Sequence, residues 1–141
     1  MRSLRPAARL DLMPTERIDH RAGDAVVVES EAPTGGFAVV FEDDGETGYF
    51  YGLDLSRPAE NPVVDALHLY NVSDVADRTN AYPIEIRWAQ DGNRAGVFIA
   101  RCCQGVFDFN ARRAVCRTGF PPPRGDFTST HAWDEALAEG L

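Results

Sequence analysis

The chain has 141 residues, with 14 basic against 22 acidic side chains and a formal net charge of −8. That length fits one domain, and the charge disfavours nonspecific DNA or RNA binding over most of the surface. Hydrophobic content of 44% and charged content of 26% are those of an ordinary soluble domain, and no apolar run approaches the roughly 18 residues of a membrane span.

Residues 1–23 read as a leader without firm structure. Over the first twelve residues Arg2, Arg5 and Arg9 stand against a single Asp11, and no uninterrupted apolar core of a signal peptide follows. A disordered leader, or an over-extended start with Met13 as the initiator, fits this better than an organelle transit peptide. The remaining 24–141 read as a single β-rich domain.

Asp24 to Ser30, with Val26-Val27-Val28, reads as the first strand, and Pro33-Thr34-Gly35-Gly36 turns it into a hairpin. The hairpin runs from Gly36 to Asp54 with Asp44-Gly45 as its expected centre, because both central residues of such a turn need φ > 0. That centre pairs Val39 with Phe50 and Val40 with Tyr49. Phe37, Val39, Phe41 and Phe50 then share one face, and Ala38, Val40, Tyr49 and Tyr51 the other. Large side chains on both faces place the hairpin in mid-sheet, with core on one side and a pocket or partner on the other.

A proline-bearing loop leads to Val64–Val72, where Leu67 and Leu69 alternate with His68 and Tyr70 as in a half-buried strand. The second hairpin has the cleanest alternation. Ile84, Ile86 and Trp88 should lie over Ala95, Val97 and Ile99 across a turn at Asp91-Gly92, leaving Glu85, Arg87 and Phe98 on the wetter face. Val106–Phe109 and Arg113–Arg117 add two strands. A short helix from Ala132 to Glu139, capped by Thr130, should dock through Trp133 and Leu137. About eight strands at this spacing predict a mainly β fold: an antiparallel sandwich or open barrel with a short C-terminal helix.

Three phrases carry a family resemblance: Gly45-Glu46-Thr47-Gly48-Tyr49-Phe50-Tyr51-Gly52-Leu53-Asp54, Asp65-Ala66-Leu67-His68-Leu69-Tyr70-Asn71-Val72, and Val106 through Arg117 followed by Phe120-Pro121. Over Ala25 to Pro123 the chain resembles a family of small uncharacterised bacterial proteins, domain of unknown function 2251. The resemblance implies a bacterial single-domain protein and brings no activity with it.

Several constellations are candidates for function. Arg112, Arg113, Arg117 and Arg124 form a basic island without an acid over 109–125, suited to a carboxylate, a phosphate or an acidic partner segment. Internal pairing with Asp108 or the Glu42–Glu46 turn is the plainer alternative. Tyr49, Tyr51, Asp54, His68 and Tyr70 would form an aromatic pocket with one imidazole if the strand around His68 neighbours the first hairpin. A packed core histidine is the competing reading of His68. The acidic tip Glu42-Asp43-Asp44-Gly45-Glu46 fails as a calcium loop, because position 51 is Tyr where an EF-hand needs Glu. Cys102, Cys103, Cys116 and His131 are the element types for zinc, yet adjacent cysteines do not easily ligate one tetrahedral ion. Three cysteines without a CxxC pair suit a reducing cytoplasm.

These observations favour a non-catalytic protein-binding domain of immunity or accessory type, with no cofactor and no metal. Another protein is its expected partner, and neither nucleic acid nor a membrane is. The alternative is a small-molecule or anion-binding protein, or an enzyme, with a pocket built from His68, Tyr70, Asp54 and Arg113. A homodimer through an exposed strand edge is compatible with either.

Overall fold

The computed structural model describes residues 15–123, 127 and 130–141. Two antiparallel sheets face each other. One has five strands in the order β1 (Thr15–His20), β6 (Tyr82–Trp88), β7 (Arg94–Ile99), β8 (Cys102–Asp108) and β9 (Arg113–Cys116). The other has four, β2 (Val26–Glu31), β3 (Phe37–Asp43), β4 (Thr47–Asp54) and β5 (Val63–Asn71), in chain order. Neither sheet closes on itself, so of the two expected architectures the fold is the sandwich.

The core lies between the sheets. Val39, Phe41 and Phe50 from one sheet and Ile86, Trp88, Val97 and Phe107 from the other are all 0% exposed. Rings interlock across the gap: Phe37 stacks on Phe109 with centroids 4.5 Å apart, and Phe50 meets Phe107 at 5.3 Å. Trp88 Nε1 donates to Ser30 Oγ at 2.9 Å, which satisfies both polar atoms inside the core. Among the described residues no helix is long and apolar enough to cross a membrane.

The second hairpin has the expected pairing, with Ile84 opposite Ile99, Ile86 opposite Val97 and Trp88 opposite Ala95. On its outer face the Arg87 guanidinium lies 4.0 Å from the Phe98 ring centroid. The first hairpin is shifted. Asp44 N–H donates to Thr47 O, and Asp44 Oδ1 accepts from Glu46 N and Thr47 N, so the central pair is Gly45-Glu46 with Gly45 at φ +97°. The Asp44 side chain mimics a backbone acceptor and moves the turn by one residue. Val39 therefore faces Gly52, and Phe41 faces Phe50. A one-residue change of centre moves the register by two, so every side chain keeps its expected face.

Two expectations are corrected. Thr15–His20 is a strand, although the leader was expected to be irregular to residue 23. Its one aliphatic residue, Ile18, gives no alternation, and the strand is held by pairing, Ile18 opposite Ile84 at the sheet edge. The expected helix over Ala132–Glu139 is a 3₁₀ turn, Glu135–Ala138, capped by Asp134, whose side chain accepts from Ala136 N; Thr130 accepts from Ala132 N one step earlier. Trp133 and Leu137 nevertheless dock as expected, over Phe98, Cys103, Val106 and Val115 on the outer face of the five-stranded sheet.

Candidate functional site

The register of β2–β5 sets out the outward face of the four-stranded sheet. One row reads Val27, Glu42, Tyr49, His68; the next Glu29, Val40, Tyr51, Ala66; the third Glu31, Ala38, Leu53, Val63. Tyr49 and Tyr51 stack with centroids 5.6 Å apart, and His68 meets the Tyr49 ring edge-on at 5.3 Å. Tyr51 OH donates to Glu42 Oε1 at 3.1 Å. Partial burial and that carboxylate push the Tyr51 hydroxyl up to about 12, so it stays a donor. Three of the five expected pocket residues thus form one aromatic strip, with glutamates beside it on β2 and β3. At the other margin β5 is closed by loop backbone. His68 N donates to Phe120 O, and Thr118 Oγ1 donates to His68 O.

Tyr70 does not join this strip. A bulge between Gly48 and Tyr49 pairs Tyr49 with His68 but Gly48 with Tyr70, so residues two apart on β5 turn to opposite sides. Gly48 makes room, since a Cβ there would overlap the Tyr70 ring. Tyr70 OH donates to Asp43 Oδ2 at 2.8 Å. The same oxygen accepts from Gly23 N at 2.8 Å and lies 2.9 Å from His20 Nε2, while Oδ1 accepts from Gly45 N at 2.8 Å.

Asp43 is 1% exposed. Burial pushes its carboxyl up, but the bonds from Gly23, His20, Gly45 and Tyr70 outweigh that and hold it below the usual range. Burial and Asp43 together raise the Tyr70 hydroxyl far above its ordinary value. An ionised carboxylate only accepts, so Nε2 of His20 carries a proton toward Asp43. His20 and Tyr70 line a pocket of about 320 Å³ whose apolar walls include Leu69, Val75, Ile84 and Ile99. His68 and Tyr70 also border a more open groove of about 460 Å³ beside Thr118 and Phe120.

The other candidates lie elsewhere. Asp54 ends β4 and accepts from Ser56 Oγ and N, which hold its carboxyl low. Arg113 Nη2 lies 3.1 Å from Asp134 Oδ2. Arg117 Nε donates to Cys103 O, and its guanidinium sits 3.8 Å from the Trp133 ring centroid. Arg112 is exposed, 5.7 Å from the Phe127 ring centroid; Arg124 lies outside the described residues. The side chains of Arg113 and Arg117 therefore meet Asp134, Glu135 and Trp133 of the C-terminal segment, while Arg113 stands opposite Asp108 in the β8–β9 ladder. His68 and Tyr70 border one groove, which Asp54 and Arg113 do not line.

Among the described residues no three His, Cys, Asp or Glu side chains stand close enough to hold a metal ion. All three cysteines are free. His131, 1% exposed, is hydrogen-bonded through Nε2 to Asp65 Oδ2 at 2.8 Å and through Nδ1 to Pro121 O. Burial lowers its affinity for the proton, and Asp65 more than restores it, so the net shift is upward. His20, Asp43 and the His131–Asp65 pair were not foreseen as site residues. The one signal for Asp43 was a charged residue on the inward-facing positions of a strand, in step with Val39 and Phe41.

Residues 20–141 match the family described as an uncharacterized protein conserved in bacteria, DUF2251. The chain belongs to DUF2251. The match begins at His20 and runs through the C-terminal segment, beyond the span of the phrases that suggested it. An uncharacterized protein of Haemophilus influenzae is 44% identical over 87 residues, covering 62% of this chain and 53% of the relative. The matched region thus spans about half the length of that relative. No solved structure matches this DUF2251 chain.

Proposed function

We propose that this DUF2251 protein is a non-catalytic protein-binding domain that takes a basic protein on the outward face of its four-stranded sheet. The observation that carries the reading is the Tyr49–Tyr51–His68 strip with Glu29, Glu31 and Glu42 beside it. Stacked tyrosines are already ordered, so they lose little side-chain freedom on binding, and Tyr is among the residues that concentrate interface energy. The glutamates and the net charge of −8 select and steer a positive surface.

Size argues the same way. Three rows across four strands cover on the order of 400 Å², from strand spacings near 4.8 Å and row spacings near 6.8 Å. A stable interface needs about 800 Å² per partner. The partner must therefore extend beyond the strip, and Asp44 and Glu46 on the adjoining turn are both exposed to meet it. The free thiols, one of them exposed, are in keeping with the reducing cytoplasm that we propose as its location.

The test is affinity capture from native cells with the full chain and two variants, Glu29→Arg/Glu31→Arg on exposed positions of β2 and Tyr49→Ser. A basic protein recovered in stoichiometric amount by the parent chain, and lost with both variants while their circular dichroism is unchanged, supports the proposal. Equal capture by all three chains overturns it. So does a parent chain that sediments as a homodimer through this face.

A further inference from the structure

We propose that the pocket beside His20 and Tyr70 is a binding site for a small, largely apolar molecule that carries an ammonium group. It lies on the other side of β5 from the tyrosine strip, so it stands apart from the protein-docking face.

Its size, about 320 Å³, is at the small end of ligand pockets, which run from roughly 300 to 1,000 Å³. That equals the liquid volume of about ten waters. Leu69, Val75, Ile84 and Ile99 supply apolar walls, which favour an apolar body over a sugar or a nucleotide.

The polar groups say which end the ligand must have. His20 is 7% exposed, and its Nδ1 has no hydrogen-bond partner among the described residues, whereas Nε2 is committed to Asp43. A neutral imidazole with its proton on Nε2 offers Nδ1 as an acceptor, which a ligand N–H would satisfy. No arginine lines the pocket, so a carboxylate or phosphate would find no counter-charge there.

Asp77, by contrast, is part of the lining. Its carboxylate is held in place by Thr79, Asn80 and Tyr82 OH, each a neutral donor, and Arg21, which reaches the same loop, donates to Thr79 O and pairs with Asp24. Tyr82 also lines the pocket and is 40% exposed, which leaves a ring available to a cation. A negative group fixed by neutral donors, an aromatic ring and the unpartnered Nδ1 of His20 together describe a receptor for an ammonium.

The experiment is a methyl and amide NMR titration of the full chain with three matched probes: 2-phenylethylamine, 2-phenylethanol and 3-phenylpropanoate. The expected result is saturable binding of the amine, with shifts at Leu69, Val75, Ile84 and Ile99, and binding of the carboxylate at least about tenfold weaker. Asp77→Asn removes the charge while keeping an oxygen for Thr79 N, and should erase the preference of amine over alcohol. His20→Phe should weaken both. If His20→Phe fails to fold, Asp77→Asn alone decides, because Asp77 lies on an outer loop and not in the core. Shifts that fail to saturate, shifts outside the pocket, or equal affinity for amine and carboxylate overturn the proposal.

Discussion

Asp43 is the residue whose replacement tests the structure most directly. Its carboxylate meets two backbone N–H groups, Gly23 and Gly45, one tyrosine hydroxyl and one imidazole, at 2.8–2.9 Å. Asp43→Ala strands all four. Tyr70 OH and His20 Nε2 adjoin the pocket and can turn to water there, whereas the half-buried Gly23 and Gly45 amides are fixed by the backbone. A buried donor left unpaired costs about 1–3 kcal/mol, so the loss should total about 3–5 kcal/mol. Asp43→Asn keeps one oxygen for three of the donors and turns an NH₂ on the fourth, which predicts about 2–3 kcal/mol. Against a typical stability of about 5–15 kcal/mol, Asp43→Ala is close to unfolding the domain. Urea denaturation at neutral pH, read by tryptophan fluorescence, measures both. The sign with pH follows from the lowered carboxyl. Asp43 contributes fully above the ordinary value near 3.9, and the contribution fades as pH falls through the lower folded value. A cost below about 1 kcal/mol for Asp43→Ala would refute the geometry and with it the architecture of the His20 pocket.

Gly52→Ala should cost about 1–3 kcal/mol in the same assay, because its Cβ would lie 2.7 Å from two atoms of the buried Phe107 ring. Phe107 is walled in by Phe50, Phe109 and Phe127 and has nowhere to move. His131, with its proton affinity raised by Asp65, should stabilise the fold fully below about pH 6.5 and progressively less as pH rises through its folded value. An NMR titration should find that value elevated, and Asp65→Asn should lower it. Thiol labelling should show one fast cysteine, the exposed Cys102. Burial pushes the Cys103 thiol up to about 11, and Cys116 is 0% exposed, so both should react only on unfolding.

The second hairpin was legible because Ile84, Ile86 and Trp88 alternate with charged residues and Asp91-Gly92 marks the turn, so period and punctuation agree. The first hairpin was legible in its faces but not in its register. Asp-Gly was an ambiguous signal there, since the Asp44 side chain caps the turn and leaves Gly45-Glu46 at the centre. β1 could not be read from Thr-Glu-Arg-Ile-Asp-His, because an edge strand is defined by its neighbour more than by its own pattern. The arginine island was legible as a cluster, but its partners, Asp134 and the Trp133 ring, arrive from a segment that only the tertiary fold brings back.

The dispersal of the expected pocket has two local origins, the inward parity of Asp54 on β4 and a bulge that turns Tyr70. In a regular strand His68 and Tyr70 share a face and would both border Tyr49 and Tyr51, whereas Asp54, opposite Phe37, is in step with Phe50 and Gly52 in any case. The bulge beside Gly48 puts one extra residue into β5, so Leu69 enters the core and Tyr70 follows it inward to Asp43. What remains outside is a stacked strip of half-buried rings. What goes inside is a hydroxyl beside a buried carboxylate–imidazole pair and an apolar pocket. The signal for this was present as Gly48 opposite a tyrosine: a glycine in mid-strand often marks a place where another group must come close. One inserted residue thus divides β5 between two surfaces of different chemistry, and the two proposals made for this protein follow from that division.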